Sequence, residues 1–371
     1  MKKTLITFTI GLVVFATLST ISKSKSTLTS NFIEGNPEIS SINALSFGPE
    51  GILFLGDSKN AAVYALDTKD TYVKEEAEEI NISDFDTKIA ASLGTTKDNI
   101  KITDMEVNPL SKKVYFSVNT QDGTPVLLKL NGDNFDNISL KNASYSKIDL
   151  ADPVDIDQKD QRGRELRVWA ISDLNYHKGK VLVSGLSNKE FGSTFRSIPF
   201  PFTNNQDYAS LEIFHAAHGR YETHAPIKTF NVVNFDNKDY IIASYTCTPL
   251  VLFPLDDLKD KKHSKGRTVA ELGSGNSPLD MISFQKDGKS YFLMSNTNRS
   301  VMRFNYDDIA KSKENLTEEV KEFAVAKGVN YVSLPMVNVL QLDNLDSNNV
   351  VYLQRFSDGD LVLKTRTTKW M

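Results

Sequence analysis

The sequence predicts an all-β fold, a β-propeller of six or seven blades with short helical insertions. Three observations predict it. Strand-like runs rich in Val, Ile, Tyr and Phe recur along the chain. They follow one order: apolar strand, turn, apolar strand, polar loop, third strand. The units begin at 42, 102, 171, 227, 279 and 332, separated by 60, 69, 56, 52 and 53 residues. A period near fifty is that of propeller blades, and ring closure protects most sheet edges. A pair of β-sandwiches, the competing fold, leaves the repeated order unexplained.

Residues 1–22 read as a secretory signal. Lys2 and Lys3 precede the apolar run from Leu5 to Leu18, and Ser19, Thr20 and Ser22 close it. The alternative is an uncleaved anchor, but the run falls short of the ~20 residues of a membrane span. No cysteine follows it, which excludes a lipoprotein anchor. The expectation is an exported protein, periplasmic or extracellular, meeting a membrane only through an uncleaved signal. Residues 23–41 read as a flexible lead-in, and 42–371 as the propeller domain.

The first unit sets Ile42–Phe47, the turn Gly48–Gly51, Ile52–Leu55 and Ala62–Leu66 in sequence. The second has Ile102–Val107, Val114–Val118 and Val126–Leu130; the third has Ile171–Tyr176 and Val181–Ser184. The fourth runs Ile227–Asn234, Tyr240–Ser244 and Leu250–Phe253; the fifth Leu279–Phe284, Tyr291–Ser295 and Val301–Phe304; the sixth Val332–Leu342, Val350–Phe356 and Asp360–Lys364. Two insertions look helical. Asp84–Leu93 repeats Phe85, Ile89 and Leu93 every fourth residue between Ser83 as N-cap and Gly94 as stop. Thr317–Ala326 reads as the second.

The 371 residues hold 43 basic and 47 acidic side chains, a net charge of −4. Without residues 1–22 the balance is 41 to 47, or −6. No basic patch stands out, so nucleic acid is not an expected partner. Cys247 is the single cysteine, so no intramolecular disulfide forms. It is either a buried small apolar residue or a ligand or redox group.

Three of the five histidines fall within Phe214–Pro226. The stretch is too polar for a core element and reads as an ordered loop. In a propeller, the connection entering a blade's first strand and the loop between its second and third strands share one face. The histidine loop and Cys247 therefore meet there. His215 and His218 are three apart, His218 and Glu222 four apart, so His215, His218, Glu222 and Cys247 form a candidate set for a divalent metal, copper, zinc or calcium. The alternative is a loop in which the histidines pack on Phe214 and Tyr221.

Asp104, Asp173 and Asp280 recur at the mouths of first strands. Close carboxylates need a cation, a shared proton or donors; alternatively each ties down its own inter-blade loop. Asn188, Glu190, Arg196, Tyr221, Asn298 and Arg299 are expected to reach the same face and hold an anionic or carbonyl ligand. No Gly-x-Ser-x-Gly elbow, Walker loop, Cys-x-x-Cys or haem-attachment motif occurs, and Gly273-Ser274-Gly275 lacks the βαβ context of a dinucleotide fingerprint.

Phe47-Gly48-Pro49-Glu50-Gly51-Ile52-Leu53-Phe54 followed by Gly56-Asp57 resembles blade openings of the SMP-30/NHL and YVTN-type propellers. Ile102–Pro109, Gly185–Phe191, Ala217–Thr223, Tyr245–Val251 and Val269–Met281 resemble a group of exported bacterial propellers without an assigned reaction. In that group the position of His224 is expected to be basic rather than histidine. The wider superfamily includes calcium-dependent lactonases and quinone- or copper-dependent oxidoreductases. The expected function is a secreted propeller that binds a metal or small molecule at its loop face, with oxidoreductase or hydrolase chemistry open to it. The competing expectation is a non-catalytic scaffold that binds a protein or a cell-wall glycan.

Overall fold

A computed structural model describes residues 27–371; the signal expected at 1–22 lies outside them. Strands dominate, in six small sheets that are antiparallel except where Ser210–Glu212 pairs in parallel with His263–Lys265. Each sheet is a blade. Taking innermost strands first, blade 1 has Ala44–Phe47, Ile52–Asp57 and Ala62–Asp67, and blade 2 has Ile100–Val107, Val114–Thr120, Pro125–Asn131 and Asn134–Ile138. Blade 3 has Asp173–His177, Lys180–Leu186, Ser193–Pro199, Asp207–His215 and Arg220–Glu222. Blade 4 has Ile227–Phe235, Lys238–Tyr245, Pro249–Pro254 and Arg267–Glu271, edged by Lys327–Gly328. Blade 5 has Pro278–Lys286, Lys289–Asn296, Met302–Asn305 and Val332–Ser333; blade 6 has Val339–Asn344, Asn349–Arg355 and Leu361–Thr367. The alternatives of six and seven blades resolve to six.

The blades do not follow chain order around the ring. Blade 1 is completed by Ala143–Asp149, which pairs with Ala62–Leu66 only after blade 2 has been built. The inner strand of blade 1 lies between those of blades 2 and 3, and that of blade 6 between those of blades 5 and 2. The ring therefore reads 1, 3, 4, 5, 6, 2. The chain places blade 2 on one side of blade 1, returns, and then runs the other way until blade 6 meets blade 2. Asn81–Ile82, from the segment leading to blade 2, closes blade 6 by pairing with Leu363–Lys364. Six apolar clusters fill the six blade interfaces, for example Phe54, Val183 and Ile198 between blades 1 and 3, and Phe116, Val351 and Leu363 between blades 2 and 6. Each buries apolar side chains from two sheets, and this is what fixes neighbouring blades.

Two expectations change. The lead-in is not free over its described part: Phe32 is buried, and Ile33–Gly35 pairs with Ala143–Tyr145 at the edge of blade 1. Apolar side chains in this polar stretch decide the matter. The expected helix Phe85–Ser92 is present, with Asp84 rather than Ser83 at its N-cap position, and Phe85 and Ile89 are buried at the blade 2–6 interface. The second helix is not. Residues 317–326 form an irregular strap; Leu316 and Val320 pack on Phe214 and Ala216, and Val320 N–H donates to Ala216 O. Four-residue spacing here serves two contacts on the blade surface, not a helix face. The second helix is Tyr306–Lys311, capped by Asn305 Oδ1 accepting from Asp307 N–H at 2.9 Å. No helix among the described residues is long and apolar enough to cross a membrane.

Candidate metal centre

The histidine run is built as a hairpin rather than a loop. Asp207–His215 turns through a single 3-10 turn, Ala216–His218, into Arg220–Glu222, with Phe214 opposite Tyr221 and His215 opposite Arg220. Gly219 makes the reversal at φ +61°, where a side chain is disfavoured; an added Cβ would also lie 3.0 Å from Glu319 of the strap.

The hairpin stacks two imidazoles against each other, ring centroids 3.8 Å apart. His215 is 1% exposed, whereas the side chain of His218 is 42% exposed. Glu222 holds both: its Oε2 is 2.9 Å from His215 Nδ1 and its Oε1 2.7 Å from His218 Nδ1. An ionised carboxylate only accepts, so both Nδ1 atoms carry protons and both Nε2 atoms face away from Glu222. Cys247 comes from the turn between Lys238–Tyr245 and Pro249–Pro254 of blade 4 and sits half-buried. Its Sγ is 4.0 Å from His218 Nε2. One ligand atom each from His215, His218 and Cys247 lie within 4.8 Å of one another. His215 Nε2 is buried without a hydrogen-bond partner.

Burial works to lower the His215 pKa, but Cys247, Glu222 and Glu271 outweigh it and push the imidazole up to about 9. Burial likewise works to raise Glu222, and its hydrogen bonds to His215 and His218 outweigh it, bringing the carboxyl down to about 2. Glu222, expected as a ligand, thus stands behind the two rings as the group that orients them, a common arrangement at metal-bound histidines.

Two residues that the sequence did not single out as site residues support this cluster. Thr248 has φ +117°, an outlier for a β-branched residue and of the kind that gathers at functional sites. It is fully buried, and its Oγ1 donates to Glu271 Oε1. Glu271, at the end of its strand, is 0% exposed; its Oε2 accepts from Ala217 N–H at 3.1 Å and lies 3.8 Å from His215 Nε2. The only sequence signal was a carboxylate ending the apolar run Thr268–Ala270.

The aspartates form a separate place. Asp104, Glu106, Asp173, Asp280 and Asp343 line a cavity of about 180 Å³ in the central channel, away from the His–Cys cluster. Each aspartate joins two blades through backbone donors. Asp173 accepts from its neighbour Leu174 and from Phe230 of blade 4, Asp280 from Met281 and from Leu342 of blade 6. Asp343 accepts from Asn344 and Val107, Asp104 from Met105 and Leu45. The loop-tying alternative describes them. Removal from bulk water raises all five: Asp173 and Asp343 to about 7, Asp280 to about 6, Asp104 and Glu106 well above their ordinary range.

The remaining candidates do not gather at one site. Arg196 is completely buried, on the side of its strand that carries Ile198 into the blade 1–3 interface, and donates only to Ala151 O. The alternation of the strand, not its loop, sets where it points. Asn298 and Arg299 hold neighbouring backbone, donating to Gly275 O and Ala324 O at 2.6 Å each. Tyr221 packs edge-on against Phe214 beneath Lys265. Asn188 and Glu190 are exposed on a separate loop. His224 accepts from Gly192 N–H and takes no part in the cluster.

No protein-family model and no curated protein matches the chain. Among solved structures it is similar to a chain of the Drosophila Plexin A–Semaphorin 1b complex, at 12% identity, covering 90% of this chain and 86% of that one, with a TM-score of 0.39. It is similar to streptogramin B lyase at 12% identity, 91% and 87% coverage and TM-score 0.34. It is similar to the PQQ-bound aldose sugar dehydrogenase of Streptomyces coelicolor at 8% identity, 90% and 98% coverage and TM-score 0.36. Likenesses this distant bear on neither reaction nor site; the blade assignment rests on the chain's own sheets.

Proposed function

We propose that this is an exported, metal-binding β-propeller that holds one transition-metal ion between His215 Nε2, His218 Nε2 and Cys247 Sγ. One observation carries the reading: three donor atoms from a strand end, a turn and a neighbouring blade converge within 4.8 Å, with both imidazoles oriented by one carboxylate. Two imidazoles and a thiolate suit zinc or copper; calcium, which takes oxygen ligands, does not fit this set. With an open coordination position such an ion offers a small molecule the chemistry of an oxidoreductase or a hydrolase; with a fourth protein ligand it serves as a structural tie.

The test is metal analysis of protein purified without chelators, followed by zinc and cobalt titration of the stripped protein. Stoichiometric uptake, lost in Cys247→Ser, is expected. Absence of uptake by the wild-type protein overturns the reading and leaves His215 as an imidazolium between Glu222 and Glu271. Sequencing the N-terminus of the secreted protein tests export.

A further inference from the structure

The His–Cys cluster contains one orphan donor atom beside a buried carboxylate. His215 Nε2 is buried and has no hydrogen-bond partner. Facing it at 3.8 Å is Oε2 of Glu271, a carboxylate with no exposure at all. The separation is too long for a hydrogen bond. A buried carboxylate is costly unless it is paired; no Lys or Arg forms an ion pair with Glu271 among the described residues, and His215, at 3.8 Å, is its charged neighbour. Its oxygens are fixed from the far side by Thr248 Oγ1 and Ala217 N–H, so the carboxylate is held in place without the histidine's help. Thr248 keeps a positive φ while it does so.

We infer that Glu271 is the fourth ligand of the proposed ion, which makes the centre a closed set of two imidazoles, one thiolate and one carboxylate that staples the outer hairpin of blade 3 to blade 4. This rests on the metal reading above. Tetrahedral bonds of about 2.0–2.1 Å place N and O ligands roughly 3.3 Å apart; Glu271 Oε2 is 3.8 Å from His215 Nε2 but lies outside the set of three donors that already converge within 4.8 Å, so the Glu271 side chain must swing toward the ion as it binds. The charges agree as well. Thiolate and carboxylate together balance a divalent ion, while Glu222 pairs with Arg220 at 3.2 Å. On binding, Cys247 releases its thiol proton to solvent, and His215 gives up any proton on Nε2. His215 and Glu271 are buried, whereas the His218 side chain is 42% exposed and Cys247 is half-buried. No position is left for a water, so the staple does not use the metal-bound water of hydrolytic zinc sites.

The experiment is cobalt loading of the full mature chain, read by visible absorption. Wild type is expected to show the intense d–d bands of a four-coordinate ion with a thiolate charge-transfer band, unmoved by added azide. Glu271→Gln, of the same shape, should bind cobalt at least tenfold more weakly, show weaker bands and respond to azide. Chelation should lower the melting temperature of the wild type more than that of the variant. A wild-type spectrum that shifts with azide overturns the inference without any variant, and so does a folded Glu271→Gln with unchanged affinity and bands. Failure of the wild type to bind cobalt or zinc instead defeats the metal reading itself, so the two failures are distinct.

Discussion

Glu222 is the residue on which the cluster's geometry turns. One carboxylate holds the Nδ1 side of two imidazoles and so turns both Nε2 atoms away from itself, that of His218 to 4.0 Å from Cys247 Sγ. Glu222→Ala should leave the blades intact yet weaken zinc or cobalt binding by roughly 10–100-fold, the usual cost of losing such an orienting partner; competition titration against a chelating dye measures it, and unchanged affinity would show that the rings orient themselves. Cys247 gives an independent reading at the same scale. Its sulfur is half-buried, so alkylation of metal-stripped protein should proceed, and loading with zinc should slow it by holding the thiolate. Equal alkylation rates with and without zinc would separate Cys247 from any metal. The crowding of three histidines and the lone cysteine could be seen in the sequence, because propeller geometry brings a blade's entry and its second loop to one face. The role of Glu271 could not be seen: its partners, Ala217 and Thr248, are 54 and 23 residues away and contribute a backbone N–H and a hydroxyl, which leave no pattern in spacing.

At the scale of elements, the channel aspartates act as rivets between inner strands. The Asp recurring at the start of unit strands marks the repeat, and its carboxylates accept backbone N–H groups of their own blade and of an adjoining one. Asp173→Ala would leave Leu174 N–H and Phe230 N–H without their acceptor. The expected loss is about 1–3 kcal/mol per stranded group, seen as a lower urea midpoint; a midpoint within error of wild type would mean channel water replaces the carboxylate fully. The helix Phe85–Ser92 makes a parallel case. Phe85 is fully buried and meets Phe116 and Phe135 at ring-centroid distances of 4.9 and 5.6 Å. Phe85→Ala should therefore destabilise the blade 2–6 interface by about 3–5 kcal/mol. The helix's spacing of apolar residues showed a buried face, but could not show that the face is packed at the ring's closing seam.

For the whole molecule, strand–turn repeats exposed the blade count, and the uneven separations of 60 and 69 residues held the clue to the ring order. Those two gaps contain the segments that carry the chain to blade 2 and back to blade 1, and pairing partners at such distances leave no local trace. Closing the ring concentrates five carboxylates in one narrow channel, and this gives stability a defined pH dependence. Asp173 and Asp343 move up to about 7 and Asp280 to about 6 from an ordinary 3.8. Groups raised on folding favour the folded state fully below 3.8 and lose that contribution as pH rises through 6 to 7. His215, raised from 6.5 to about 9, contributes fully below 6.5 and loses it as pH rises through 9. Glu222 works oppositely: lowered from 4.5 to about 2, it supports the fold above 4.5 and fails only in strong acid. The metal-free protein should accordingly melt at a higher temperature at about pH 5 than at about pH 8. Asp280→Asn, which keeps one acceptor oxygen and removes one charge from the channel, should flatten that slope. Melting curves by circular dichroism at the two pH values decide it: a wild-type protein more stable at the alkaline value would mean that channel water or counterions already neutralise the ring of carboxylates.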